Sequence, residues 1–198
     1  MKHALSGVLR RWPARALLVH CCSVCSRASA RAVLAAPTAG VLLAVILTLG
    51  LHLNLSASAP RGLYRTVAGP PQRGAWVVVC IDPRAAEIAR ARGYLGPGPC
   101  PGGVQPMLKP VVALAGDVVE IGPEAVTVNG KRLARSSSPG ADSVGRALPH
   151  ATWGRYVVGP NELWLVSTRV PNSWDSRYLG PISTSQVWSV ARPVWTVD

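Results

Sequence analysis

Along residues 61–198, apolar positions come in short runs broken by Gly, Pro and Asn, and several runs alternate with polar residues. A two-residue period over four to eight positions predicts strands. Residues 75–81 (Ala-Trp-Val-Val-Val-Cys-Ile) read as a buried strand, and 107–114 as another, apolar apart from Lys109. Residues 118–121 and 125–128 are short strands, and Asn129-Gly130 is a two-residue hairpin signal leading into Lys131-Arg132-Leu133. Further strands are predicted at 156–158, 163–168 and 186–191. One stretch has another period. Asp82-Pro83 suits N-cap and first position of a short helix through Ala85, Ile88, Ala89 and Arg92, stopped at Gly93. The predicted fold is mainly β: about seven or eight short antiparallel strands with one short helix.

Ahead of this region the pattern is different. Residues 32–55 carry no charged side chain, and about 20 apolar residues are enough to cross a bilayer. Residues 1–31 hold six basic residues and no acidic one. A basic head before an apolar span predicts a cytoplasmic N-terminus and an exported C-terminal domain. Three parts are expected: a basic cytoplasmic head over 1–31, a single transmembrane anchor over 32–55, and an exported β-rich domain over 56–198. A cleavable secretory signal is the competing reading, because Ala57-Ser58-Ala59 has the form of an A-x-A site. The apolar run is longer than a usual signal core, and Pro60 would make the bond after Ala59 a tertiary amide.

The net charge of +12 comes mainly from arginines that are scattered rather than striped, which argues against nucleic-acid binding. Cys21, Cys22 and Cys25 lie in the head, where too few other ligands stand nearby for a metal site; reduced thiols are the simpler reading. Cys80 and Cys100 are the two cysteines on the exported side, and in an oxidising compartment they are expected to pair, with two free thiols as the alternative.

Candidate chemistry narrows quickly. Residues 56–198 contain a single His, His150, so a Ser-His-Asp triad or a zinc site is not expected, and no cofactor is called for. The Ser-rich tip directly after the apolar run makes Ser58 a candidate nucleophile at the membrane surface. A serine nucleophile can be activated by a lysine whose pKa is lowered by burial. Lys2 lies in the head and Lys131 in a hairpin turn, whereas Lys109 is flanked by Met107, Leu108, Pro110, Val111 and Val112. A snorkelling or edge-strand lysine is the alternative.

Three blocks in order carry a resemblance. They are Ser58-Ala59-Pro60-Arg61-Gly62-Leu63-Tyr64, Pro106-Met107-Leu108-Lys109 through Ala115-Gly116-Asp117, and Asn172-Ser173-Trp174-Asp175-Ser176-Arg177-Tyr178-Leu179-Gly180. Together they resemble the signal peptidase I family of Ser/Lys membrane peptidases, and most closely its conjugative-transfer, TraF-type branch. Ala115 stands where the family usually has Pro, and Pro110 where leader peptidases carry Arg. The resemblance implies Ser58 as nucleophile and Lys109 as general base. It also implies an oxyanion hole from the Ser58 N–H and the Ser56 hydroxyl, Ser173 as a hydrogen-bond partner of the lysine, and Asp175 with Arg177 as a supporting ion pair. The implied substrate is an exported precursor polypeptide such as a conjugative pilin, cut at the inner membrane by a periplasmic catalytic domain. Components of a type IV secretion or conjugation apparatus are possible partners. A general leader peptidase and a non-catalytic membrane scaffold of such an apparatus are the rival readings.

Overall fold

The computed structural model describes residues 48–197. The head over 1–31, its three cysteines and the anchor as far as residue 47 lie outside the described residues. Among the described residues no helix is long and apolar enough to cross a membrane.

Twelve strands and two α-helices follow one another among these residues, with a 3-10 turn at Thr184–Gln186 before the last strand. They are β1 (Leu51–Asn54), β2 (Arg61–Val67), β3 (Trp76–Val79), α1 (Pro83–Ala91), β4 (Pro97–Cys100), β5 (Met107–Leu114), β6 (Val118–Ile121) and β7 (Val126–Val128). Then come β8 (Lys131–Arg132), β9 (Gly154–Val157), β10 (Glu162–Leu165), α2 (Ser176–Leu179), β11 (Ile182–Ser183) and β12 (Val187–Val197). A seven-stranded sheet runs in the order β1-β2-β12-β3-β5-β10-β11, and a four-stranded one in the order β8-β7-β6-β9. Every pairing is antiparallel. The mainly β expectation holds.

Local chemistry accounts for the elements the sequence signalled. Asp82 caps α1 by accepting from the Arg84 N–H, with Pro83 inside the first turn. Asn129 (φ 50°) and Gly130 (φ 76°) both take the left-handed conformation that a two-residue hairpin turn requires, and Val128 pairs with Lys131 across it. The unbroken apolar run of β10 is explained by burial on both faces. Leu163 and Leu165 join the core under the large sheet, while Trp164 joins the core of the small one.

The differences from the sequence reading have physical causes. Residues 51–54, expected at the end of the anchor, are strand β1, paired Leu51↔Arg65 through Asn54↔Gly62 with β2. Apolar composition suits a sheet edge as well as a bilayer, and only the pairing partner decides. This brings His52 into the β domain, where its Nε2 lies 2.7 Å from Thr66 Oγ1. The last strand extends to Val197 rather than stopping at Ala191, because it pairs with β2 beyond a bulge between Pro193 and Trp195. Strands β1, β2, β4 and β11 and helix α2 were not expected; each is short or rich in Arg, Gly or Pro, so its local pattern is weak, and β2 and β11 are paired with strands distant in sequence.

Gly62 lies at the tightest crossing. With φ at 141°, a Cβ there would sit 2.2 Å from the carbonyl oxygen of Trp195, so only glycine lets β2 approach β12. Cys80 and Cys100 form a disulfide that closes a 20-residue separation and ties the end of β3 to β4. Replacing both cysteines by alanine is expected to lower unfolding stability by about 3 kcal/mol, read by urea denaturation, with the reduced wild-type protein showing a similar loss.

Candidate active site

Strand β5 has a strict alternation in which Met107, Lys109, Val111 and Ala113 are the buried positions. Lys109 therefore shares the core-facing row, and it is only 4% exposed. Pro110 fits beside it because the β10 ladder on that side ends at the Leu165↔Val111 pair. The missing N–H then costs no pairing with β10. The Ala115-Gly116-Asp117 turn closes without the family's proline. Asp117 accepts from the Leu114 N–H, from Asn129 Nδ2 and from Arg73, and the Asp117 N–H returns to the Leu114 carbonyl. Burial works against ionisation of Asp117, but those hydrogen bonds together hold its carboxyl below the usual range.

The serine tip is folded by its neighbours. Asn54, the last residue of β1, donates from Nδ2 to the carbonyls of Ser56 (3.1 Å), Ala59 (3.3 Å) and Pro60 (2.9 Å). Its Oδ1 accepts from the Ser56 N–H. The Tyr64 hydroxyl donates to the Pro60 carbonyl at 2.8 Å. These contacts give the Pro60…Gly62…Tyr64 spacing a mechanical meaning: the glycine seats β2 against β12, and the tyrosine clamps the turn. Ser58 and Ala59 are buried at the tip, while Ser56 and Ala57 are not: Ser56 is exposed.

Ser58, Lys109 and Ser173 come together. Lys109 Nζ lies 2.7 Å from Ser58 Oγ and 2.7 Å from Ser173 Oγ. Burial pushes the Lys109 pKa down to about 8; the Asp175 carboxylate partly offsets this and the Arg177 guanidinium adds to it. Ser56 Oγ is 2.8 Å from Ser58 Oγ and accepts from the Ser58 N–H at 3.3 Å.

The third block forms one connected buried unit. Asp175 and Arg177 are both fully buried and meet as a two-pronged pair, Nε to Oδ1 and Nη2 to Oδ2, each at 2.9 Å. Arg177 Nη1 also donates to the carbonyls of Ser137 and Pro171, and Nη2 to that of Ser173, so all five guanidinium donors are engaged. Ser176 Oγ accepts from the Leu165 N–H, and Asp175 Oδ2 from the Ser167 N–H. The chain past β10 is thus hydrogen-bonded by side chains where no strand is alongside. Asn54 and Ser167 were not singled out from sequence, and Tyr64 and Ser176 stood in the quoted blocks without a role of their own. An Asn closing an apolar run and a Ser within Leu-Trp-Leu-Val-Ser-Thr are the signals that could have found two of them.

A cleft of about 730 Å³ opens over this cluster. Ser58, Lys109 and Ser173 line it together with Leu55, Leu95, Leu108, Leu148, Val170 and Trp174. Such a site joins an apolar peptide-sized recess to a hydroxyl and an amine of lowered basicity, a combination suited to acyl transfer. Among the described residues no group of His, Cys, Asp and Glu could hold a metal ion.

The family model for signal peptidase, peptidase S26, matches residues 26–196. The plasmid transfer protein TraF of Escherichia coli is 38% identical over 174 residues, spanning 87% of this chain and 98% of its own length. The chain belongs to the signal peptidase I family and is of the TraF type. The conjugal transfer protein TraF of Agrobacterium tumefaciens strain 15955 is 42% identical over 165 residues, 82% of this chain and 92% of that relative. A crystal structure of a signal peptidase I from Enterococcus faecalis V583 covers 63% of this chain and 98% of its own, at 19% identity and a TM-score of 0.37, a likeness too loose to carry an argument. Membership of this peptidase family makes the chain a peptidase, with a polypeptide precursor as its class of substrate.

Two stability effects follow from the buried charges of this signal peptidase. Removing Arg177 strands the Asp175 carboxylate in the core, so Arg177→Met is expected to cost about 3–5 kcal/mol by urea denaturation. Lys109 acts in the opposite sense. Below pH 8 the folded and unfolded chains both hold its proton and the burial penalty, about 3 kcal/mol, applies in full. Between pH 8 and the ordinary value of 10.5 only the folded chain releases the proton, so this group's penalty fades as pH rises. Lys109→Met is therefore expected to raise stability at pH 7 by about 1–3 kcal/mol and to remove that alkaline gain.

Proposed function

We propose that this chain is a membrane-anchored serine endopeptidase that processes exported precursor proteins, a conjugative pilin foremost, through an acyl-enzyme on Ser58 with Lys109 as general base. The observation that carries this reading is the 2.7 Å contact between Lys109 Nζ and Ser58 Oγ inside a buried site where the lysine pKa falls to about 8. The names of the TraF relatives, which refer to plasmid and conjugal transfer, support the conjugative setting over general leader processing.

Neutral Lys109 takes the hydroxyl proton as Ser58 Oγ attacks the scissile carbonyl. Ser173 orients the amine from its other side. The Ser58 N–H and the Ser56 hydroxyl receive the developing oxyanion. In the free enzyme these two groups bond one another, so the substrate oxygen replaces Ser56 Oγ on the N–H as that hydroxyl turns towards it. The ammonium of Lys109 then protonates the leaving amine. Water, or an amine of the substrate, resolves the ester and regenerates Ser58. Asp175 and Arg177 serve as the supporting pair.

The location we assign is the cytoplasmic membrane, with residues 1–31 on the cytoplasmic side and the β domain outside. The basic, acid-free head and the Cys80–Cys100 disulfide, which fits an oxidising compartment, support it.

Co-expression of a pilin precursor with the wild-type protein is expected to yield the processed form by mass spectrometry, and Ser58→Ala or Lys109→Arg to leave it uncut. Full processing by either variant would exclude the dyad. The rate of Ser58 acylation by a penem is expected to climb with pH, reach half its limit near pH 8 and level off above it, because only the neutral amine accepts the proton. A profile flat from about pH 6 to 10 would contradict Lys109 as base.

A further inference from the structure

Ser167 lies in the segment past the end of β10 and is completely buried. Its hydroxyl donates at 2.7 Å to the main-chain carbonyl of Ser58, a residue 109 positions away. Its N–H donates at 3.0 Å to Asp175 Oδ2, the oxygen that also receives Arg177 Nη2. Its Oγ accepts from the Arg169 N–H at 3.3 Å.

A buried serine with its hydrogen bonds satisfied is ordinarily a packing detail. The identity of the acceptor sets this one apart. The tip carrying Ser58 joins β1 to β2, and its local ties, through Asn54 and Tyr64, come from those same strands. In sheet order β12 and β3 stand between β2 and the lysine strand β5. Among the described residues, two hydrogen bonds reach from the tip to the lysine side of the domain: Lys109 to Ser58 Oγ, and Ser167 to Ser58 O. The first is used up in the reaction, since Ser58 Oγ becomes an ester oxygen and gives its proton to the amine. The second involves no reacting atom, since the carbonyl of Ser58 forms and breaks no bond in the reaction.

Resting on the Ser58/Lys109 reading above, we propose that Ser167 is a positioning residue that keeps the main chain of Ser58 in register with Lys109 while the bond between their side chains is broken. The Asp175–Arg177 pair then acts on both partners. It reaches the nucleophile through the Ser167 N–H, and the base through Ser173, whose carbonyl Arg177 also holds.

The test follows penem acylation of the full-length protein in detergent micelles over a range of penem concentrations, for wild type, Ser58→Ala, Ser167→Ala and Ser167→Thr. Ser167→Ala is expected to lower the limiting acylation rate by about 10- to 100-fold, to change the half-saturating concentration by less than about threefold, and to keep the wild-type pH midpoint. Ser167→Thr, which retains the hydroxyl, is expected to recover most of the rate. A limiting rate within about twofold of wild type in Ser167→Ala would overturn the proposal, as would an equal loss in the alanine and threonine variants. If the alanine variant melts below the assay temperature, Ser167→Cys replaces it, filling a similar volume with a far weaker donor, and the same rate thresholds decide. Acylation that survives in Ser58→Ala overturns the proposed function and this inference with it. Acylation lost there but unchanged in Ser167→Ala overturns the role of Ser167 alone.

Discussion

Placing an amine in the core-facing row of β5 is the constraint from which the rest of the site follows. Met107, Val111 and Ala113 exclude water from that row, and exclusion of water lowers the basicity of Lys109. The same exclusion makes every nearby polar atom costly unless it is bonded. Ser58 and Ser173 occupy two hydrogen-bonding positions of the amine, and the fully buried Asp175–Arg177 pair sits close enough for both charges to act on it. The domain carries an internal penalty that a hydrocarbon side chain would remove, which accords with the catalytic role we propose for Lys109.

The buried ion pair has a structural task of its own. The chain beyond β10 leaves the sheet, so its N–H groups lose strand partners. Ser176 supplies an acceptor for Leu165, the last residue of β10, and Asp175 one for Ser167 beyond it. Arg177 gathers three carbonyls, from Ser137, Pro171 and Ser173, which gives each of them a donor where no strand supplies one. The Asn-Ser-Trp-Asp-Ser-Arg block is thus a hydrogen-bonding device in which Ser173, Asp175, Ser176 and Arg177 each answer a separate main-chain or side-chain need.

Around this core the remaining devices limit motion of the tip. Gly62 permits the close crossing of β2 and β12, Tyr64 clamps Pro60, and Asn54 folds the residues between. The disulfide ties the end of β3 to the segment that brings Leu95 to the cleft. In the mechanism we propose, Ser58 is a nucleophile built on a loop, and such support matters because small displacements of a reacting atom are expensive in rate.

Much of this was legible in the sequence because it rests on local rules. The Asp82-Pro83 cap, the Asn129-Gly130 turn, the period of 107–114 and the three ordered blocks depend on residues near one another, and each fixed its own conformation or identity. The lone apolar-flanked lysine marked a candidate base for the same reason. What no local rule reaches is which distant groups meet. Residues 51–54 are apolar enough for a bilayer, and pairing with β2 made them a strand. Ser167 resembles any serine in a strand until the fold sets it against the carbonyl of Ser58. The 2.7 Å approach of Lys109 to Ser58 likewise depends on chain closure over 51 positions, an outcome of packing and backbone satisfaction across the whole domain.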